Sequence, residues 1–157
     1  MHPILGDKYH LLSKPVERQP AVDEVGAQLS RLMASARATT TEAASRFHPA
    51  LPPAAFHVAR WLLAFGPSRT NDIARGVAMD RSATSRLVDG LRAAGLVRVD
   101  VDPADRRANV VRLTPAGRRH VTRALRWKGG MFHDRLAAWS ERELEDLARL
   151  LAKLNGS

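Results

Sequence analysis

The chain contains no cysteine. A disulfide frame, a thiolate zinc site and a redox-sensing thiol are thereby excluded. No apolar run approaches the roughly 18 residues that a membrane-spanning helix needs. The start of the chain lacks the signal-peptide layout of basic residues, apolar run and small-residue cleavage site. A soluble, cytoplasmic protein is expected. The six histidines, at positions 2, 10, 48, 57, 120 and 133, include no pair three or four residues apart, so no preformed zinc site is expected. There is no Gly-rich phosphate loop, no nucleophile elbow and no His-Glu metal helix. Neither an enzyme nor a cofactor is expected from these residues.

Lysine is scarce too, and what replaces it is informative. Among 157 residues there are 25 basic and 16 acidic ones, a net charge of +9, and only four of the basic residues are Lys. A genome rich in G and C favours Arg codons, which accounts for the choice of Arg but not for its placement. Residues 60–126 hold 14 Arg, no Lys and six Asp, a net +8. Almost the whole excess therefore sits in mid-chain. A basic segment of that kind is the electrostatic footprint of a polyanion. The Arg fork suits phosphate and guanine edges.

Period and punctuation divide the chain. Residues 1–20 carry Pro3, Pro15 and Pro20 without a sustained period and are expected to form an arm with a mobile tip. Val22, Val25, Leu29, Leu32, Met33 and Ala36 recur at three and four residues, which predicts a first helix reaching about Phe47. Pro52 and Pro53 open a second helix that stops at Gly66-Pro67. A short third helix lies near Thr70–Val77 with Ile73, Ala74 and Val77 inward. Asp80 or Ser82 caps a fourth, which ends at Gly95. Its Ala83, Leu87, Val88, Leu91 and Ala94 are read as inward, and Arg81, Ser82, Ser85, Arg86 and Asp89 as outward. From Val97 the period is two, through Val99 and Val101, then Val111 and Leu113, which predicts a hairpin with a charged tip. Thr114 caps a long fifth helix to about Trp139, where Gly129-Gly130 suits a kink. Ser140 and Glu143 form a capping box before a last helix striped with Leu144, Leu147, Leu151 and Leu154.

This order predicts a mainly α protein with a small β-hairpin wing: a winged helix-turn-helix flanked by N- and C-terminal dimerisation helices. The expected boundaries are 1–20 for the arm, 21–51 for the first dimerisation helix, 52–114 for the DNA-binding lobe and 115–157 for the C-terminal dimerisation helices. Arg81, Ser82, Thr84, Ser85 and Arg86 are the candidates on the fourth helix. Short hydroxyls and Arg at a helix N-terminus are what a major groove admits. At the hairpin tip, Arg106 and Arg107 suit a narrow minor groove or its phosphates. Asp105 would be repelled by phosphate, so it is expected to brace Arg107, or another Arg of the domain, through a charged hydrogen bond. Amphipathic helices at both ends of the chain need something to bury against, and a two-fold partner would present two recognition helices about 34 Å apart to a palindrome.

The stretch running from Asp105 through Arg107 to Leu113-Thr114 and Gly117 resembles the MarR family signature, D-x-R-x-x-x-x-x-L-T-x-x-G, with every fixed position filled. "MDRSATSRLVDGLRAAGLV" is similar to that family's recognition helix and the turn after it. The resemblance covers about residues 22 to 154. It implies a homodimer whose first, fifth and sixth helices intertwine, with Arg107 as the minor-groove contact of the wing. It further implies repression that is relieved when a small molecule binds between the dimer core and the DNA-binding lobe. His57, Arg60, Trp61, Trp127 and Met131 are the candidates for that pocket, and Arg and His suit an anionic aromatic effector; two of them, Trp61 and Trp127, equally suit the core. Two departures from the family pattern stand out. Gly90 lies inside the recognition helix at roughly 1 kcal/mol against Ala, and Gly129-Gly130 lies in a helix that should be continuous. Two other readings stay open: a ligand-independent architectural DNA binder of low specificity, and a protein-interaction module without DNA.

Overall fold

A computed structural model describes residues 14–102 and 105–156, and of residues 14–17, 106 and 107 the backbone alone. Six helices and one hairpin follow in the order α1 (Lys14–Phe47), α2 (Pro53–Phe65), α3 (Thr70–Gly76), α4 (Arg81–Ala93), β1 (Val97–Asp102), β2 (Asp105–Leu113), α5 (Pro115–Leu136) and α6 (Glu141–Asn155). Most of the arm expected at residues 1–20 lies outside the described residues. Its last part, 14–20, is already helical: α1 starts earlier than the apolar stripe begins, and carries Pro20 within it. The fold divides within α1, between Thr39 and Thr40.

In the first unit, Val22, Val25, Leu32 and Met33 are each about half exposed. The predicted stripe is therefore present on α1 but uncovered.

The second unit is built around α2. Ala55, Phe56, Val58, Ala59 and Leu62 are all buried on it. They meet Phe47, Ile73, Leu91, Val111 and Val121 in a single core. Full burial of each large side chain contributes about 1.5–3 kcal/mol. Helix α2 packs on α3, α4, α5 and β2, so the elements of the lobe share one apolar centre. The boundaries follow local chemistry. Pro53 opens α2, and Asp80, rather than Ser82, caps α4 by accepting from the Ala83 amide at 2.8 Å. Thr114 caps α5, and the Ser140–Glu143 box caps α6. Ala78, in the turn between α3 and α4, holds a left-handed φ of 54°.

Helix α5 runs unbroken through Gly129 and Gly130 and stops at Leu136, short of the expected Trp139. Two adjacent glycines weaken a helix by propensity but do not break its hydrogen-bond ladder. Helix α6 buries none of its residues, and Leu144, Leu150 and Leu154 stay exposed.

Gly90 faces Leu51, whose Cδ2 would lie 3.4 Å from an added Cβ. That is close to ordinary van der Waals contact, so the helix-propensity gain decides the outcome. Gly90→Ala is expected to stabilise the fold by up to about 1 kcal/mol, read as a higher urea midpoint with unchanged slope. A lower midpoint would show that Leu51 cannot give way.

Candidate nucleic-acid interface

The hairpin is fixed to the body of the lobe at three places. At its base, the Thr114 amide donates to the Leu96 carbonyl at 3.0 Å, and the Thr114 hydroxyl donates to the Gly95 carbonyl at 2.7 Å. Midway, Ser68, in the loop before α3, exchanges two backbone hydrogen bonds with Val111, at 2.9 and 3.0 Å. Near the tip, Arg69 is the N-cap residue of α3, and its Nε and Nη2 donate to Asp102 Oδ2 at 2.9 and 2.6 Å. The same Nη2 lies 3.6 Å from Asp105 Oδ2. One guanidinium thus ties α3 to both sides of the wing turn. The hydrogen bond from Asp102, then its charge, raises the pKa of Arg69 further, and Asp105 adds to this. Asp105 thus lies within ion-pair distance of Arg69; its other expected partner, Arg107, has its side chain outside the described residues. Asp102, which periodicity did not single out, is the stronger anchor.

The hairpin register explains why Asp102 is buried. Val97 pairs with Leu113, and the ladder runs regularly to Val101 opposite Asn109. The next pair is Asp102 with Asp105, so β2 carries residues 106–108 across a step that β1 makes in one. A bulge of this kind reverses the inward and outward phase. Val101 is left exposed and Asp102 turns in, at 8% exposure. Arg106 and Arg107 belong to the bulged segment, and their side chains lie outside the described residues. Further down the hairpin, Asp100 pairs with Arg98 at 3.2 Å and with Arg112 at 2.7 Å.

On α4, Arg81, Ser82 and Arg86 are exposed and Ser85 is half-buried. Thr84 corrects the expectation. It is fully buried, its hydroxyl donating to the Asp80 carbonyl at 2.9 Å. It precedes Val88 and Leu91 by one and two turns and belongs to their inward stripe. It is part of the core and not of the exposed face.

The candidate pocket residues separate. His57, Arg60 and Trp61 line an open cleft of about 530 Å³ between α2, the end of α3 and Leu125 of α5. Trp127 does not line it; Arg46 stacks over its ring at 4.3 Å. Met131 is also apart from the cleft, exposed further along α5. Trp61 packs so closely over Gly76 that a Cβ there would lie 2.0 Å from the ring, and its Nε1 is buried without a hydrogen-bond partner. Lys128, which spacing also passed over, donates to Thr40 Oγ1 at 2.8 Å. Burial first, then the charges of Arg60 and Lys128, lowers the pKa of His57. Burial, then Arg60, lowers that of Lys128. The cleft thus sets the Arg60 guanidinium and the His57 ring beside an idle indole donor.

A folded-state pKa below the unfolded one gives a definite sign. His57 contributes its full share of stability above its unfolded value near 6.5. That share is lost as pH falls toward the lower folded value, because the unfolded chain takes up the proton first. The melting temperature of the wild type is expected to fall more between pH 7.5 and 5.5 than that of His57→Gln, both pH values being roughly one unit either side of an ordinary His. Parallel curves would remove the assigned shift.

A two-stranded wing pinned beside a capped, exposed helix and its preceding short helix defines a winged helix-turn-helix protein. Comparison with known proteins agrees. The MarR family model matches residues 51–108, the wing turn and everything from the start of α2. The HTH-type transcriptional regulator YxaD of Bacillus subtilis is 29% identical over 96 residues, 61% of this chain and 67% of that one. The regulator YsmB of the same organism is 24% identical over 144 residues, 92% of this chain and 95% of its own. The solved structure of a MarR family protein from Bacillus stearothermophilus superposes with a TM-score of 0.73 at 24% identity, covering 88% of this chain and 95% of that one; at that identity it speaks for the fold. The winged-helix segment is thus similar to the MarR family, and the chain as a whole to HTH-type transcriptional regulators. Among the described residues no helix is long and apolar enough to cross a membrane.

Proposed function

We propose that the chain acts as a homodimeric repressor of a palindromic operator, released from DNA by a small anionic aromatic effector. Within it, residues 21–51 and 115–157 supply the dimerisation helices and 52–114 form the DNA-binding lobe. Helix α4 enters the major groove with Arg81, Ser82, Ser85 and Arg86, and the wing brings Arg106 and Arg107 to the adjacent minor groove or its phosphates. The observation that carries this reading is the Arg69–Asp102 tie, which fixes the wing against α3 beside the exposed face of α4. A loop serving only as a connection has no need of such a tie. Support for the dimer comes from the uncovered apolar residues of α6, the C-terminal half of α5 and the turn between them, Phe132 and Trp139 among the large ones. Support for the effector comes from the cleft: an aromatic anion would be matched by Arg60 in charge, by the Trp61 face in shape, and by the indole N–H and the His57 ring as hydrogen-bonding groups.

The test is selection of duplexes from a random pool at about 150 mM salt, where non-specific phosphate binding is weakened. An inverted repeat with half-sites one helical turn apart supports the reading. Binding without a motif would favour a low-specificity architectural protein instead. With the motif known, Ser85→Ala and Arg86→Ala are each expected to relax base preference at one position per half-site, by about 1–3 kcal/mol for Arg86. An unchanged preference profile would reassign them to the backbone.

A further inference from the structure

The face of α5 turned away from the core carries a second concentration of positive charge. Gly117, Val121 and Ala124 bury the inner face of the helix. Opposite them stand Arg118, Arg119, Arg123 and Arg126, all exposed. With Pro115 and Thr122 they line a shallow open trough of about 660 Å³. Among the described residues none gives any of the four guanidiniums an acidic partner. Residues 115–133 of the helix contain no acid at all.

This arrangement is unfavourable in the free protein. Arg119 and Arg123, and Arg123 and Arg126, stand four and three residues apart on one helix face, where like charges repel. Arg118 and Arg119 also lie close to the positive end of the helix dipole, and the first turn has no acid to offset it. An anion seated along this face relieves that cost. From Arg118 to Arg126 the helix rises about 12 Å, so the charges form a line and not a point. A line of Arg without carboxylates matches a phosphate backbone, the partner that releases counterions in proportion to the charges neutralised. A second copy of the chain fits less well. Subunit interfaces are apolar at their centre and depleted of charge, whereas this face offers four guanidiniums around one threonine. The uncovered apolar residues suited to a subunit, Met131, Phe132 and the leucines of α6, lie elsewhere.

We propose that Arg118, Arg119, Arg123 and Arg126 form a second contact surface for the phosphate backbone of duplex DNA, separate from the recognition helix and the wing. It adds affinity without reading sequence. The inference rests on the DNA-binding reading given above.

The experiment uses the full chain and duplexes of about 40 base pairs, some four helical turns, with either the selected site or random sequence. The variant is Arg118→Gln, Arg119→Gln, Arg123→Gln and Arg126→Gln together. The slope of log K against log salt is expected to become shallower by about 3.6 for each protomer seated on DNA, near 0.9 for each phosphate no longer neutralised. The weakening should be alike on both duplexes, with base preference and sedimentation unchanged. The two pairs changed separately, 118 with 119 and 123 with 126, should each remove about half, and four Lys replacements should restore most of the slope. An unchanged slope overturns the proposal. So does dissociation of a dimer with the slope intact, which would mark the ridge as a contact between copies. A wild type that binds neither duplex would instead overturn the DNA-binding reading itself.

Discussion

Gly117→Ala is expected to destabilise the lobe by roughly 3 kcal/mol or more, the range of overpacking against backbone that cannot yield. The Cβ of an alanine there would lie 1.9 Å from the Leu96 carbonyl oxygen, 2.9 Å from its carbon and 3.2 Å from Leu113 Cδ2. The carbonyl cannot retreat cheaply, since it accepts the Thr114 amide at 3.0 Å. Leu96 is held from its other side as well, its amide donating to Leu91 at 2.9 Å. Nor can α5 withdraw, because the Gly117 amide donates to Thr114 Oγ1 at 3.0 Å as its own cap. The end of α4, the base of the wing and the start of α5 therefore meet at one point with no room for a side chain. Urea unfolding of Gly117→Ala beside Gly90→Ala checks this directly. The two are the same chemical change with opposite expected signs, and a Gly117→Ala midpoint at or above that of the wild type would refute the close approach.

The same junction shows how the signature is put together. Its Leu, Thr and Gly are architecture: they set where the wing leaves the body. Its Asp and Arg lie at the tip. Sequence periodicity served well where an element keeps one phase over several turns or pairs. Helices α2 to α6 and the lower hairpin follow from spacing, and the caps of α4, α5 and α6 from residues that satisfy orphan N–H groups. It served poorly where phase changes. Along β1, alternation puts Val101 inward and Asp102 outward, whereas near the hairpin's end Val101 is exposed and Asp102, at the step where residues 106–108 bulge, is buried. The strongest tie of the wing was hidden by that reversal, since nothing local announces a bulge of this size. Thr84 was misplaced for a different reason. Ala83 satisfies an apolar pattern as readily as Thr84 does, and a buried hydroxyl satisfied by the carbonyl four residues back looks polar only in the sequence. Lys128 escaped notice because His57 and Arg60, whose charges couple to it, are brought near by the packing of α2 on α5, which spacing along the chain does not encode.

Asp102→Asn is expected to weaken operator binding roughly ten- to hundredfold, the value of one good groove contact, while leaving the fold intact. The side chain keeps its shape but gives up the charge that holds Arg69 Nε and Nη2 on one oxygen. Asp105, at 3.6 Å from the same guanidinium, is too far to replace two hydrogen bonds. The Ser68–Val111 pair and the Thr114 cap still hold the lower hairpin, so what is released is the tip, where Arg106 and Arg107 are carried. On the proposed reading Asp102 is a positioning residue, acting through the wing and not by touching DNA. That role has a signature of its own. If Asp102 works by holding Arg107 in place, then Asp102→Asn together with Arg107→Ala should bind about as weakly as Arg107→Ala alone, because residues acting through one contact are not additive. Two effects that simply add would separate Asp102 from the wing contact, and full affinity in Asp102→Asn would mean that the bulge alone keeps the arginines in position.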